Sequence, residues 1–326
     1  MIKRNLIKRV MAAGAIMAVT LSLAGCGIGG SSVKLGAAGV GGGYYAFSNA
    51  FAQIASSEDE DLDFEVKVTA GSTANIRLLS DGYVDMAIAQ ADLVDAAYNG
   101  TGATDKKRYR GYSAVASLYT EACQIVVRAD SGIDSLDDLQ GKKVSVGEEE
   151  SGTQRNAEQI LKMTGLVESL VDTVNLDYVD AANELKSGQI DAFFCTAGIQ
   201  TSVIEELSKE CDVKLIGIDD KCRDRLKSVY GFYTDYTIPA GTYEGQEQDV
   251  ETLGVRAVLL ARDDMDEEIV EKLTGLLFEH SQDIQYSIPL TFQIDESEAV
   301  KNVTIPFHDG AKAYYQKKGI EIPAEQ

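Results

Sequence analysis

A short pattern occurs twice in this chain. Leu79-Ser80-Asp81-Gly82-Tyr83-Val84-Asp85-Met86 returns as Leu185-Lys186-Ser187-Gly188-Gln189-Ile190-Asp191-Ala192, with Asp85 and Asp191 106 residues apart. Each copy reads as the end of a helix, a glycine that stops it, and a strand that opens with Asp. Around both copies, short β-branched or apolar runs alternate with amphipathic stretches, the signature of an α/β fold with largely parallel sheets. Before the first copy the pattern predicts a strand over Val33 to Ala38, a helix burying Phe47, Phe51, Ile54 and Ala55, a strand over Phe64 to Thr69 and a helix over Ser72 to Ser80. A strand over Val84 to Ala89 completes that series. Before the second copy it predicts a capped helix start at Ser135-Leu136-Asp137-Asp138, a strand over Lys143 to Gly147, a helix over Thr153 to Thr164 closed by Gly165, and a strand over Val174 to Val179.

Two similar α/β lobes predict a clamshell, with a ligand held at the carboxyl ends of strands that face an interlobe cleft. The first lobe is expected over 33–118 together with 250–326, and the second over 119–249. The chain would cross near Leu118 to Glu121 and near Asp249 to Gly254. Tyr230 to Asp249, with Pro239, Gly241 and Gly245, reads as turns along the rim. Asp266 to His280 and Gly310 to Lys318 read as helices returning to the first lobe.

The N-terminus has a different character. Residues 1–25 carry Lys3, Arg4, Lys8 and Arg9, no acid, and the apolar run Val10 to Leu23, which is the make-up of a secretory leader. Leu23-Ala24-Gly25-Cys26 resembles a bacterial lipobox, so Cys26 is expected to carry lipid, with 26–32 as a Gly/Ser tether. A buried N-terminal helix is the alternative. The whole chain has 30 Lys+Arg against 52 Asp+Glu, a net charge of −22. Without the four leader cations it stands at 26 against 52, or −26. That balance excludes nucleic acid and anionic headgroups as partners. The expected place of the mature chain is extracytoplasmic, lipid-anchored at the outer face of the cell membrane or periplasmic, as a monomer. Cys123, Cys195, Cys211 and Cys222 remain; a Cys211–Cys222 bridge is conceivable, but free buried thiols suit a core of this size.

The strand-to-helix junctions carry the candidate ligand groups. Gly39-Val40-Gly41-Gly42-Gly43-Tyr44-Tyr45 lets backbone approach a ligand and offers helix N–H groups to an anion, or is a tight turn. No Gly-Lys-[Ser/Thr] follows, so it is not a phosphate-binding P-loop. Gly71-Ser72-Thr73 can cap a helix or bind a carboxylate. Gln90 places an amide at the cleft, and Asp92 reads as a helix N-cap. Arg77 reads as a structural ion pair with Asp85 rather than a carboxylate clamp. In the second lobe Ser151, Gly152 and Thr153 take the matching position, with Asn156 one turn on. Glu148-Glu149-Glu150 is a solvated loop or faces an ammonium group, and Thr196-Ala197-Gly198 ends a strand with small residues.

These segments resemble the TAXI-type solute-binding subunits of tripartite ATP-independent periplasmic (TRAP) transporters. The likeness rests on Gly41 to Tyr45, Gly71 to Leu79, Val127 to Ile133, Ser135 to Gly147, Ser151-Gly152-Thr153, Gly188 to Phe194 and Ile238 to Tyr243. The resemblance implies a type II periplasmic-binding-protein clamshell that captures glutamate, glutamine or a dicarboxylate and passes it to an integral-membrane permease, with no cofactor and no metal. The implied ligand residues are Gly42, Gly43, Tyr44, Ser72, Gln90, Ser151, Gly152, Thr153 and Gly198. Glu148-Glu149-Glu150 stands where the family carries Ala-Pro-Gly, and Ile199-Gln200 where Pro is usual. An ABC-linked binding lipoprotein would share the clamshell. An extracytoplasmic enzyme is disfavoured by the two His outside the cleft segments and by the lack of a G-x-S-x-G elbow or metal cluster.

Overall fold

The computed structural model describes residues 32–102, 106–167, 169–288 and 294–323. The expected leader, Cys26 and nearly all of the tether lie outside the described residues. The chain runs β1 (Val33–Gly36), α1 (Gly43–Glu58), β2 (Phe64–Lys67), α2 (Ser72–Ser80), β3 (Met86–Gln90), α3 (Ala91–Asn99), β4 (Tyr112–Arg128), a 3-10 turn (Leu136–Leu139), β5 (Lys143–Ser145) and α4 (Gly152–Thr164). It continues with β6 (Asp172–Val174), α5 (Tyr178–Ser187), β7 (Ala192–Ala197), α6 (Ser202–Glu210), β8 (Val213–Leu215), α7 (Asp220–Val229), β9 (Thr234–Ile238), β10 (Val250–Arg262), α8 (Glu267–Glu279), α9 (Ser281–Ser287) and α10 (Asp309–Lys318).

The strands join in the order β2-β1-β3-β10-β4-β7-β5-β6, with β8 beside β4 and β9 beside β10. The order β2-β1-β3 is repeated as β6-β5-β7, and both triplets are parallel. The strands that join them, β4 and β10, are long and antiparallel to each other, from Gly254↔Ala122 to Arg262↔Tyr112. The residues expected at the two chain crossings therefore lie at or inside two shared strands.

The core follows this plan. One apolar cluster contains Leu35, Phe47, Phe51, Ile88, Tyr112, Leu118, Leu259, Leu277 and Tyr315. Two others lie around the second triplet, with Phe194, Val144, Ile160 and Leu253 in one and Phe193, Leu185, Ile204 and Leu207 in the other. Adjacent Phe193 and Phe194 thus point to opposite faces of β7. That is why Ala192-Phe193-Phe194-Cys195 is continuously apolar rather than alternating.

The repeated octapeptide has a structural cause. Gly82 and Gly188 both sit in the left-handed region, at φ 76° and 74°, where a side chain would be strained. Asp85 Oδ2 accepts from Lys34 N–H at 2.9 Å, and Asp191 Oδ2 accepts from Lys143 N–H at 2.9 Å. In return Asp85 N–H donates to Lys34 O and Asp191 N–H to Lys143 O. Each Asp therefore closes the entry of β3 or β7 onto the neighbouring parallel strand.

Three local readings change. Val174 to Val179 is not a strand: β6 ends at Val174, and Asp177 caps α5 by accepting from Asp180 N–H at 2.8 Å. Ser135 and Asp138 form a capping box, but around a single 3-10 turn. Tyr230 to Asp249 is not turns throughout, since it contains β9 paired to β10. All four described cysteines are free thiols; Cys123, Cys195 and Cys222 are buried, and Cys211 is half-buried.

The matched aspartates give a stability prediction. Asp85→Ala and Asp191→Ala should each lower unfolding free energy by about 1–2 kcal/mol in urea titrations, the usual effect of removing one partner of a backbone hydrogen bond. A variant as stable as the parent would show that the shared motif is not a structural clasp.

Candidate functional site

Four helices begin at one place. Helices α1, α2, α4 and α5 follow β1, β2, β5 and β6, so the carboxyl ends of the two parallel triplets bring their N-termini together. Gly42, Gly43, Gly71, Ser72, Ser151, Gly152, Asp177 and Tyr178 line the cavity between them, with Tyr44, Gln90, Glu121, Glu148, Thr153 and Thr196. The cavity volume is about 40 Å³. At about 10–15 Å³ for one water position, it admits a few waters or one small solute.

The backbone donors differ between the helices. Ser151 Oγ accepts from Gln154 N–H at 2.9 Å, and Asp177 caps α5. Gly42 and Gly71 provide no side-chain cap. The N–H groups of Thr73 and Ala74 in α2 donate to Glu150 O at 3.1 and 3.2 Å. Helix α1 therefore presents the barest N-terminus, 16 residues long, with its partial positive charge directed at the cavity.

The two triplets close on each other through residues without side chains. A Cβ on Gly152 would lie 2.5 Å from Gln90 Cδ, and one on Gly42 would lie 3.0 Å from the Tyr178 ring. Across the same seam Gln90 Nε2 donates to Asn156 Oδ1 at 3.0 Å, and Asn156 Nδ2 donates to Tyr233 OH at 2.8 Å. Arg77 makes a two-pronged contact with Glu150, Nε to Oε1 at 3.0 Å and Nη2 to Oε2 at 2.6 Å. The partner expected for Arg77 was Asp85, which instead lies 3.6 Å from Arg262. Glu150 is held at φ 65°, so its carbonyl reaches α2 while its carboxylate reaches Arg77.

The side chains of the cavity form two hydrogen-bonded groups. Thr196 N–H donates to Thr153 Oγ1 at 3.1 Å, Thr153 and Tyr178 hydroxyls lie 2.6 Å apart, and Tyr178 OH donates to Thr196 O at 3.1 Å. In the other group Tyr44 OH donates to Glu121 Oε2 at 2.6 Å and lies 3.5 Å from Ser72 Oγ, which accepts from Gln90 N–H. Burial, opposed by hydrogen bonds from Tyr44 and Gln90, pushes the Glu121 carboxyl up to about 8. Burial likewise pushes Asp92 up to about 6. Asp92 lies one residue inside α3, whose N-cap is Gln90, so it is not the cap expected. Burial, with the charge of Asp177 adding to it, raises Glu148.

Of the nine expected ligand residues, the structure brings Gly42, Gly43, Tyr44, Ser72, Gln90, Ser151, Gly152 and Thr153 to the cavity wall. Gly198 is not among the lining residues; Thr196, two positions earlier, is. Asn156 bonds to Gln90 rather than lining the cavity. Glu121, Asp177 and Tyr178 were missed. An acid inside the apolar run Val115 to Val127 was a readable signal for Glu121, whereas Tyr178 was hidden by reading its segment as a strand.

Matched parallel triplets on two shared strands, with helix N-termini around a small cavity, are the type II periplasmic-binding-protein fold. The sequence matches the NMT1-like family over residues 35–319, and the chain belongs to that family, of TAXI/TRAP-type solute-binding proteins. It is a binding protein for a transporter and not an enzyme. Among solved structures, MatC from Rhodopseudomonas palustris with bound malate is similar at TM-score 0.57 and 15% identity, covering 82% of this chain and 91% of its own. A protein of Bordetella bronchiseptica RB50 is similar at TM-score 0.57 and 16% identity, covering 88% of this chain and 98% of its own. At such identities these likenesses carry the fold.

The buried carboxyl predicts a pH dependence. Glu121 binds its proton more tightly folded than unfolded, so its contribution to stability falls as pH rises from the ordinary carboxyl range through about 8. Relative to Glu121→Gln, the unliganded parent should lose stability steadily between pH 5 and about 8 in denaturant titrations. Parallel pH profiles for the two proteins would contradict the burial argument.

Proposed function

We propose that this chain captures a small carboxylate, namely glutamate, glutamine or a dicarboxylate such as malate, outside the cytoplasm and delivers it to an integral-membrane TRAP permease subunit. The observation that carries this reading is the bare N-terminus of α1 at a cavity of small-solute size, with the ends of three more helices around it. An anion there gains from oriented N–H groups without a charged partner. The hydroxyls of Ser72, Ser151 and Thr153 supply further contacts, and Tyr44 covers the solute.

Capture follows from closure of two lobes, 33–118 with 250–326 and 119–249, around the solute. Solute favours closure by contacting both lobes, and the cavity wall draws from both. The leader composition and Leu23-Ala24-Gly25-Cys26 support a mature chain anchored by lipid on Cys26. An ABC permease is the competing partner. A neighbouring gene for a large multi-span permease with no ATPase gene beside it favours the TRAP reading.

A thermal-shift screen of the twenty amino acids and of C4 and C5 dicarboxylates tests the capture reading. A solute at 100 times its Kd should stabilise by about 2.7 kcal/mol; no stabilisation by any of them would contradict it. Gly152→Ala places a methyl group against Gln90. It should weaken binding of the solute so found by at least about tenfold in calorimetry, with the unliganded fold retained. Unchanged affinity would show that this close approach is not part of the bound state.

A further inference from the structure

Among the described residues, the carboxyl groups on the cavity wall have no basic side chain beside them. Glu121, Glu148 and Asp177 line it, and among the described lining residues there is no Lys, Arg or His. A solute with carboxylates alone would meet those acids inside a chain of net charge −22. A solute that also carries an ammonium would bring the missing cation.

Glu121 is placed to receive it. The residue is buried within β4, one position beyond the end of the β4–β7 ladder at Ala122, and still lines the cavity. Tyr44 OH holds one carboxyl oxygen at 2.6 Å. Gln90 stands on the same wall, with Nε2 donated to Asn156, and its Oε1 is buried with no hydrogen-bond partner. A buried carboxyl beside an unpaired acceptor suits a group rich in N–H donors.

We propose that Glu121 selects an ammonium-bearing carboxylate, an α-amino acid, by becoming the counter-ion of the ammonium and losing its own proton to solvent as the solute binds. This rests on the capture of a small carboxylate argued above. The step balances as Glu121–CO2H plus solute –NH3+ giving a Glu121–CO2−/–NH3+ pair plus one H+ taken up by buffer. The solute carboxylate remains on the α1 N–H groups.

The groups facing Glu121 allow this exchange. Tyr44 on α1, Tyr119 and Cys123 on β4, Tyr178 on α5 and Cys195 on β7 are all held neutral by burial, each pushed upward from its ordinary range. The charge of Asp92 on α3 adds to the burial that keeps Glu121 protonated, and Glu148 and Asp177 are the other acids of the cavity wall. Arg155 acts on Asp92. Among the described residues that line the cavity there is no Lys, Arg or His to take the place of an incoming ammonium.

The test is isothermal titration of the whole protein at pH 7 in phosphate and in Tris, whose ionisation enthalpies differ. The probes are the twenty L-amino acids, with 2-oxoglutarate, succinate and L-malate as solutes that lack the ammonium. The expected result is binding of at least one amino acid with close to one proton released. Its affinity should rise nearly tenfold from pH 6 to pH 7 and level off above pH 8. Glu121→Gln should abolish the release and lower affinity at least tenfold. Amino-acid binding without proton release by the parent overturns the inference, whether or not the variant folds. Binding of the three dicarboxylates with no amino acid bound overturns it too, yet leaves carboxylate capture standing. Binding of neither class removes both.

Discussion

The antiparallel ladder between β4 and β10 is the constraint on which the rest of the structure depends. It forces two parallel triplets to share one sheet, so the carboxyl ends of their strands face a common seam. The ladder is tight there. A Cβ on Gly254 would lie 2.4 Å from Thr120 Cγ2, and the register shifts between Arg256 and Val258. Glu121 sits in the same stretch, opposite Val255. The strands that join the two halves therefore also supply the buried carboxyl of the cavity, and any bending of the ladder would move that carboxyl.

Closure across the seam is supported by many weak contacts rather than one strong one. The Arg77–Glu150 pair has good geometry but more than a third of each side chain is exposed. Such pairs are worth about 0–1 kcal/mol, too little to hold two lobes together alone. The Gln90–Asn156 bond and the bonds from Thr201 and Ser202 to Gly41 O add contacts of similar size. On the proposed capture, a solute that touches both sides would supply the decisive increment, which is the condition for a receptor that closes on its cargo. The negative chain can still attract that cargo locally, because helix dipoles act over one turn while the net charge is screened by salt.

Most of the fold was legible because its signals are local. The helix Ser72–Ser80 was read to the residue, and the helix closed by Gly165 differs by one position at its start. The repeated Gly and Asp pointed to two copies of one unit, which the strand orders bear out. The site was legible where glycines and hydroxyls sit at strand-to-helix junctions. What stayed hidden depends on pairing distant in sequence. Nothing near Arg77 names Glu150 as its partner, 73 residues away, and Asp85 was the nearer acid. Val174 to Val179 alternates like a strand, yet the Asp177 cap wins and turns Tyr178 into the cavity. Glu121 needed the sheet order before its surroundings could be known.

The most direct measurement is a crystal structure of the protein with its solute bound. The account predicts the solute between the two halves, a carboxylate oxygen within hydrogen-bond distance of N–H groups in the first turn of α1, and its ammonium on Glu121. A solute bound elsewhere, or in the cavity with its carboxylate turned away from α1, would contradict it.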